Sequence, residues 1–178
     1  MKTQDGFTMI ELLVTVIVLG ILTGIATPGF SRWLPNYRLR GAARDVYSNL
    51  QLAKMEAIKI RGDCAVAFHP DDGSYEVVSE GTDGDNVVIK TVTLSHYKSG
   101  VGYGHGKATK KATISGGPIG EDISFTDHTV VFNSRGMING NAGGYVYVEN
   151  EKNASFAIGV WSTGLVVLRK WQDGVWVQ

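Results

Sequence analysis

The chain has 178 residues, which is room for one ordinary globular domain and an additional helix. Its 17 lysine and arginine residues balance its 17 aspartate and glutamate residues, so whole-chain charge gives no reason to expect a polyanionic partner. A single cysteine, Cys64, excludes an intramolecular disulfide, and packing alone must therefore hold the domain together.

The first element is an apolar run over residues 7–26, which follows a polar start over residues 1–6. Glu11 is the only charged residue in this run. At about 1.5 Å per residue, a helix of this length spans roughly 30 Å, the thickness of a bilayer's hydrocarbon core. The run therefore predicts a transmembrane helix, which we assign to residues 7–27.

Glu11 needs an explanation, because a carboxylate deep in an apolar segment costs about 3 kcal/mol on insertion scales. A cut between Gly6 and Phe7 would supply a cation, since Phe7 would then carry a free α-amine four residues before Glu11. The pair could form within one helix or between neighbouring helices. A plain single-helix anchor would leave Glu11 without a role.

The residues around this cut, Gly-Phe-Thr-Met-Ile-Glu at positions 6–11, resemble the processing site of the type IV pilin and type II secretion pseudopilin superfamily. The resemblance implies that a prepilin peptidase removes residues 1–6 as a leader and that Phe7 becomes N-methylated. It implies that Glu11 guides subunits into a helical filament. Other implied partners are further pilin or pseudopilin subunits and an inner-membrane assembly platform. Before assembly, the chain would cross the inner membrane once, with its globular domain in the periplasm.

An ordinary secretory signal peptide, cleaved after Ala26, is the alternative interpretation of the N-terminus. Such a signal needs a basic start and an uninterrupted apolar middle. Here Asp5 offsets Lys2, and Glu11 interrupts the middle. The pilin-type interpretation is therefore preferred.

Residues 28–62 predict the amphipathic half of the same helix. Pro28 lacks an N–H group and should bend the helix, and with Pro35 it predicts fraying or a kink over residues 27–36. Beyond the prolines, apolar residues recur every three or four positions, which predicts one buried face. These residues are Tyr37, Leu39, Ala42, Ala43, Val46, Tyr47, Leu50, Ala53, Ala57 and Ile58. Gly62 is the predicted C-cap.

From residue 63 onward, short runs of β-branched and aromatic residues alternate with turn residues, a pattern typical of antiparallel strands. Strands are predicted over residues 64–69, 75–79, 87–94, 123–125, 129–133, 145–149, 154–161 and 165–171. Residues 70–73 and 162–164 are predicted hairpin turns. The predicted fold is α+β, with the long N-terminal helix packed against one antiparallel sheet in a globular domain over residues 63–178.

Two stretches resemble one branch of the superfamily, the GspH and FimT type of minor pseudopilin or minor pilin. They are Ala-Lys-Met-Glu-Ala-Ile at residues 53–58 and Phe-Asn-Ser-Arg-Gly at residues 132–136. Together with the missing disulfide, they imply a low-copy structural subunit at or near the tip of a type IV pilus or type II secretion pseudopilus. A repeating major pilin is the alternative, and the N-terminal chemistry does not separate the two kinds of filament.

Residues 95–122 match no part of this resemblance. Their first part is basic and glycine-rich and carries tyrosines, a composition suited to gripping a nucleic-acid backbone. Some minor pilins of this branch bind DNA for uptake, so the resemblance makes Lys98, Lys107, Lys110 and Lys111 candidate DNA contacts. An exposed flexible loop with solvated lysines is the alternative.

No motif indicates a metal, a cofactor or a catalytic centre. The stretch Asp-Gly-Asp-Asn at residues 83–86 fails the calcium-loop order at Val87 and predicts a tight turn. The histidines and the cysteine have no zinc spacing, and no nucleophile elbow is present. The chain is therefore predicted not to be an enzyme. The alternative, a membrane-anchored enzyme, would require a pocket with a base beside a nucleophile.

Overall fold

A computed structural model describes residues 6–81, 85–113, 115–140 and 143–178, apart from the side chains of residues 26–29 and 32. The chain divides into two compact units, Met1–Leu34 and Pro35–Gln178. Helix α1 covers Met9–Ile60 and contributes to both units. Each unit is described by itself.

In the first unit, α1 is apolar on all sides. Leu12, Leu13 and Val14 are consecutive and so point in different directions, yet they are 63%, 51% and 51% exposed. The backbone is helical throughout residues 27–36, so the predicted fraying is not observed. The side chain of Pro28 lies outside the described residues, and the bend there stays a prediction. Within the described residues, no helix combines the length and apolarity needed to cross a membrane.

In the second unit, α1 buries the predicted apolar face. Its fully buried members are Leu39, Ala42, Ala43, Val46, Leu50, Ala53 and Ala57. The prediction is wrong for Tyr37 and Ile58, which are 60% and 45% exposed. Tyr37 lies two positions before Leu39, and Ile58 lies one position after Ala57. At about 100° per residue, both point away from the buried face.

The end of α1 differs in detail from the predicted glycine cap. The Gly62 N–H donates to Ala57 O at 3.2 Å, and the Arg61 N–H donates to Ile58 O at 3.4 Å. These two bonds form a Schellman motif, whose first residue after the helix adopts a left-handed conformation. That residue is Arg61, with φ 56°, rather than Gly62.

The described part of the second unit contains nine strands. They are β1 Cys64–His69, β2 Ser74–Glu80, β3 Asn86–Thr93, β4 Gly102–Tyr103, β5 Thr129–Phe132, β6 Gly144–Glu149, β7 Ser155–Val160, β8 Val166–Gln172 and β9 Val175–Val177. The predicted strand over residues 123–125 is wrong, because only Ile123 forms a bridge, to Val146. Both predicted hairpin turns are confirmed. Of the predicted turn over residues 83–86, residues 83 and 84 lie outside the described residues, and Asn86 begins β3.

The strands form two antiparallel sheets, which corrects the prediction of one sheet. The first sheet has the order β3-β2-β1-β5, and the second has the order β4-β6-β7-β8-β9. The first sheet takes β5 because Cys64 pairs with Phe132, far along the chain. One continuous core contains the buried face of α1 with residues of both sheets, including Val66, Phe132 and Val146.

The second sheet is covered on its other face as well. Tyr145, Tyr147 and Ala157 form a smaller core there with Ala112, while the alternating Val146 faces the main core. We call residues 104–113 the covering segment, because they lie across this face. The Ala112 N–H donates to the Tyr147 hydroxyl at 3.1 Å, and Arg169 Nη1 donates to Ala112 O at 2.8 Å. This segment is thus part of the folded unit.

Candidate assembly site

The predicted processing residues lie just before α1. Gly6 and Phe7 precede the first helical residue, Met9, and Phe7 is 84% exposed. A Cβ added at Gly6 would meet no atom within 4 Å. The bond between Gly6 and Phe7 therefore lies in an accessible, non-helical stretch, the kind of backbone that proteases reach. The rest of the predicted leader, residues 1–5, lies outside the described residues.

Glu11 occupies the first turn of α1. Its backbone N–H donates to Thr8 O at 3.1 Å and to Thr8 Oγ1 at 3.3 Å, so Thr8 is the N-cap. A carboxylate in this turn is favoured by the helix dipole, by roughly 0.3–1 kcal/mol. Thr8 was not predicted as the cap, although the spacing Thr-x-x-Glu is the signature of a capping box.

The carboxylate of Glu11 is the one charge in the apolar run over residues 7–26. Among the residues that the structure describes, it has no ion-pair partner. Its neighbours Ile10 and Leu12 are 68% and 63% exposed. A helix with apolar residues on every side needs lipid or other helices around it. In such dry surroundings the carboxylate needs a cation.

The four candidate DNA-contacting lysines have exposed side chains on a fixed backbone. Lys98 follows a short 3-10 helix, Leu94–Tyr97, and has φ 61°. The other three belong to the covering segment. The Lys107 N–H donates to Asn153 O at 3.2 Å, and the Lys111 N–H donates to Gly117 O at 2.6 Å. The four lysines are exposed, as expected for a solvent-exposed loop, but their backbone is hydrogen-bonded to neighbouring segments.

The tyrosines of this region serve the core. The Tyr103 hydroxyl donates to Ser74 O at 2.6 Å, and its ring stands edge-on to Phe68 at 6.3 Å. The Tyr97 hydroxyl donates to the Asp45 carboxylate. Burial raises the pKa of both phenols. Neither ring is a free platform for stacking bases, so a DNA contact would rest on the lysines alone and stays a prediction.

Acidic groups lie beside the basic run. The Glu149 carboxylate accepts the Gly106 N–H at 2.6 Å, and His105 Nδ1 lies 2.7 Å from Asp122 Oδ1. These nearby carboxylates therefore offset part of the positive charge of the covering segment. In the described ranges, no three His, Cys, Asp or Glu side chains are arranged to hold a metal ion.

Two adjoining cavities, of about 450 and 510 Å³, share Thr113, Gly143 and Tyr145. Their charged wall residues are Lys111 and Glu121. The wall residues Thr113 and Gly143 adjoin residues 114, 141 and 142 in the chain, which lie outside the described residues. We assign no ligand to these cavities.

Two protein families match the chain. Residues 1–27 match the prokaryotic N-terminal methylation motif. Residues 42–164 match the family described as type II transport protein GspH. The two matches cover the candidate assembly site and most of the second unit.

Two curated relatives, both described as fimbrial protein, come from Pseudomonas aeruginosa. One is 30% identical over 123 residues, which are 65% of this chain and 79% of the relative. The other is 34% identical over 77 residues, which are 43% of this chain and 49% of the relative.

Two solved structures have a similar fold at low sequence identity. The minor pseudopilin EpsH from the type 2 secretion system of Vibrio cholerae has a TM-score of 0.53 and 15% identity, covering 74% of this chain and 95% of EpsH. The type IV minor pilin FimU of Pseudomonas aeruginosa has a TM-score of 0.53 and 12% identity, covering 82% of this chain and 97% of FimU. These similarities support the α+β pilin fold, with a helix packed on antiparallel sheets.

Proposed function

Because the chain belongs to the type II transport protein GspH family of minor pilins and pseudopilins, we propose that it is cut between Gly6 and Phe7 and assembled through Glu11. The observation that carries this proposal is the position of Glu11. It is the one charge in the apolar run, it lies in the first turn of α1, and it is four residues from Phe7. The prepilin peptidase and the assembly platform of the inner membrane are the proposed processing and assembly partners.

The proposal places residues 7–27 in the inner membrane before assembly and the globular domain in the periplasm. The exposed apolar surface of α1 supports this, since three consecutive residues, Leu12 to Val14, are each at least half exposed. On assembly, this surface would exchange lipid for the helices of neighbouring subunits in the filament core. The filament then lies outside the cytoplasm.

In that core, the Glu11 carboxylate would pair with the Phe7 amine of a neighbouring subunit. A charge pair gains strength in dry surroundings, but either partner alone is costly there, by several kcal/mol. Register between subunits would follow, because only one axial offset brings the amine and the carboxylate together. The pair would therefore set the register between subunits and contribute little net stability.

The role proposed within the filament is structural. The family and the fold are those of filament subunits, which are not enzymes, and we propose no enzymatic activity for this chain. We further propose a low-copy position at or near the tip. The similarity in fold to EpsH and FimU, both minor subunits, supports this position over that of the repeating major pilin.

Glu11→Gln tests the assembly role, because it removes the charge and keeps the size and the apolar surroundings. We expect the variant to be processed and stored normally but to be missing from sheared filaments, as detected by immunoblotting. Glu56→Gln is the matched control, since Glu56 pairs with exposed Lys59 at 3.1 Å on the second half of the same helix. Normal incorporation of Glu11→Gln would refute the assembly role.

Gly6→Leu tests the processing site separately. A bulky side chain before the cut should block the peptidase, so the chain should keep its leader and migrate more slowly on a gel. Gly24→Leu is the control, because its Cβ would also meet no atom within 4 Å and it lies far from the cut. A mature product from Gly6→Leu would count against cleavage at this bond.

A further inference from the structure

Three segments of the second unit meet where α1 enters that unit. The first is the start of α1 in this unit, where Asn36 Oδ1 accepts from Asn150 Nδ2 at 3.1 Å. The second is the exit of the 3-10 helix, where Ser99 Oγ accepts from Arg38 Nη1 at 2.7 Å. The third is the turn between β6 and β7, where the Glu151 N–H donates to Ser99 O at 3.1 Å. These bonds join the three segments into one surface.

We call this surface the junction face. Lys107 belongs to it, because its N–H donates to Asn153 O at 3.2 Å. Lys98 and Lys152 both have exposed side chains on it. The junction face consists of Asn36, Arg38, Lys107 and residues 98–100 and 150–153.

The junction face is positively charged, although the chain as a whole has no net charge. Its cations are Arg38, Lys98, Lys107 and Lys152. Its one carboxylate is that of Glu151, and the neighbouring Glu149 carboxylate accepts a backbone N–H of the covering segment. Arg38 bonds to the neutral hydroxyl of Ser99, so its own charge is not compensated there. The excess of cations is complementary to an anionic surface.

The junction face is close in the chain to the apolar run. From Ala26, the last residue of that run, to Asn36, α1 covers about 15 Å at 1.5 Å per residue. The headgroup layer on each side of a bilayer's hydrocarbon core is about 5–8 Å thick. With the run in the bilayer, as proposed, the junction face would start within about 10 Å of the headgroups. Charges still attract each other over this distance, because it is about one Debye length at physiological salt.

The short connection between the apolar run and the second unit carries two exposed aromatic residues. Phe30 and Trp33 are 59% and 55% exposed, and their ring centroids are 6.3 Å apart. Tryptophan is enriched at the boundary between the hydrocarbon core and the headgroups. This observation does not depend on charge, and it supports a membrane boundary just before the junction face.

We propose that the junction face docks on the anionic headgroups of the bilayer that holds residues 7–27. The inference rests on the proposed membrane placement of those residues, but not on processing or on Glu11. Docking would hold the second unit against the membrane while the subunit is stored. Incorporation into a filament would then require its release, because the apolar run leaves the bilayer.

DNA is the other polyanion that this face could bind, and the structure favours it less. Of the four candidate DNA-contacting lysines, Lys98 and Lys107 lie on the junction face. Lys110 lies beside β9, since its carbonyl oxygen accepts from Trp176 Nε1 at 2.6 Å. The lipid surface, unlike DNA, is held near the junction face by the chain itself.

The full chain in lipid nanodiscs tests the docking. A fluorophore on Ser95→Cys, three residues before Lys98, would report its distance from a quencher attached to the headgroups. Quenching should be stronger in discs that contain phosphatidylglycerol than in pure phosphatidylcholine discs, and high salt should abolish the difference. A fluorophore on Lys59→Cys, about 30 Å further along α1 than Arg38, is the control and should show no difference. The native Cys64 is buried and should not be labelled.

Neutralising the exposed lysines of the junction face should release it. In Lys98→Gln, Lys152→Gln, each lost cation should lower the ratio of docked to undocked chains about fivefold. The preference for phosphatidylglycerol should therefore be lost. The matched control is Lys59→Gln, Arg61→Gln, which removes two exposed cations at the far end of α1 and should keep the preference. Matching melting curves would confirm that both double variants fold.

The outcomes separate the docking from the proposed function. Equal quenching of the Ser95→Cys label in both kinds of disc, or a preference that survives Lys98→Gln, Lys152→Gln, would overturn the docking alone. A chain that does not stay with the discs in gel filtration would refute the membrane placement as well. Glu11→Gln should dock normally, so a failed assembly role would leave this result unchanged. A DNA gel shift that the lysine variant loses, without any preference for phosphatidylglycerol, would assign the face to nucleic acid and overturn lipid docking.

Discussion

Replacing Asn49 by alanine should loosen the attachment of α1 to the first sheet. Asn49 is 3% exposed, and its Nδ2 donates to the hydroxyl of fully buried Tyr75 at 2.7 Å. Its Oδ1 accepts from Lys90 Nζ at 3.1 Å. One amide thus connects the helix to β2 and to β3.

The loss of stability in Asn49→Ala depends on which partners of Asn49 lose their hydrogen bond. The Tyr75 hydroxyl would stay buried and unpaired, which costs about 1–3 kcal/mol. Lys90 is on an exposed strand, where water can replace Asn49, so its loss should cost less than about 1 kcal/mol. We expect Asn49→Ala to lower the free energy of unfolding by about 2 kcal/mol, equivalent to roughly 6–10 °C in Tm for a unit of this size.

A double-mutant cycle with Tyr75→Phe tests the reasoning. Each single variant leaves one buried polar group unpaired, whereas Asn49→Ala combined with Tyr75→Phe leaves neither. The double variant should therefore lose less stability than the sum of the singles, by about 1 kcal/mol or more in urea denaturation. Additive losses would show that the bond is not the source of the effect.

The same bond should be visible in the titration of Tyr75. Burial raises the pKa of Tyr75 to about 12, and the hydrogen bond from Asn49 counteracts part of that rise. In Asn49→Ala the phenol should titrate at still higher pH, as measured by the absorbance of the phenolate. An unchanged or lower pKa would contradict the assigned bond.

Four further predictions concern other parts of the second unit. Arg61→Gly should raise the free energy of unfolding by about 0.5–1 kcal/mol, because φ 56° suits glycine; a lower Tm would contradict the cap. Gly159→Ala should lower the free energy of unfolding by about 1–3 kcal/mol, since its Cβ would overlap the Tyr145 ring, and a wild-type melting curve would refute this packing. Burial raises the pKa of Cys64 to about 11. Because the thiol ionises at lower pH in the unfolded chain, the free energy of unfolding should fall as pH rises from about 9 to 11. Cys64→Ala should lack this part of the fall when denaturation is measured at each pH. Neutralising the four candidate lysines together should abolish any salt-dependent DNA gel shift, and a shift that survives would exclude them as the contacts.

The helix and most strand positions could be predicted because their signals are local. The three-to-four spacing of Leu39, Val46 and Leu50 requires one buried face, and all three are fully buried. The run Cys64–His69 alternates buried and half-buried residues along its whole length, as a half-covered strand does.

What sequence reasoning missed depends on contacts between distant residues. No local pattern reveals that Cys64 pairs with Phe132, so the division into two sheets was not foreseeable. The glycines and lysines of residues 104–113 suggested a loop, but Ala112 is fully buried against Tyr147. At the candidate assembly site, by contrast, the sequence signal is local. The roles of Gly6, Phe7 and Glu11 are predicted from the order of residue types and stay predictions, and the cation expected for Glu11 would come from another subunit.

The measurement that tests the central claim most directly is the N-terminal mass and sequence of the subunit recovered from filaments. We expect a chain that begins at Phe7 and carries a methyl group on its α-amine. A chain that begins at Met1, or one that begins after Ala26, would leave Glu11 without its proposed partner and contradict assembly through this pair.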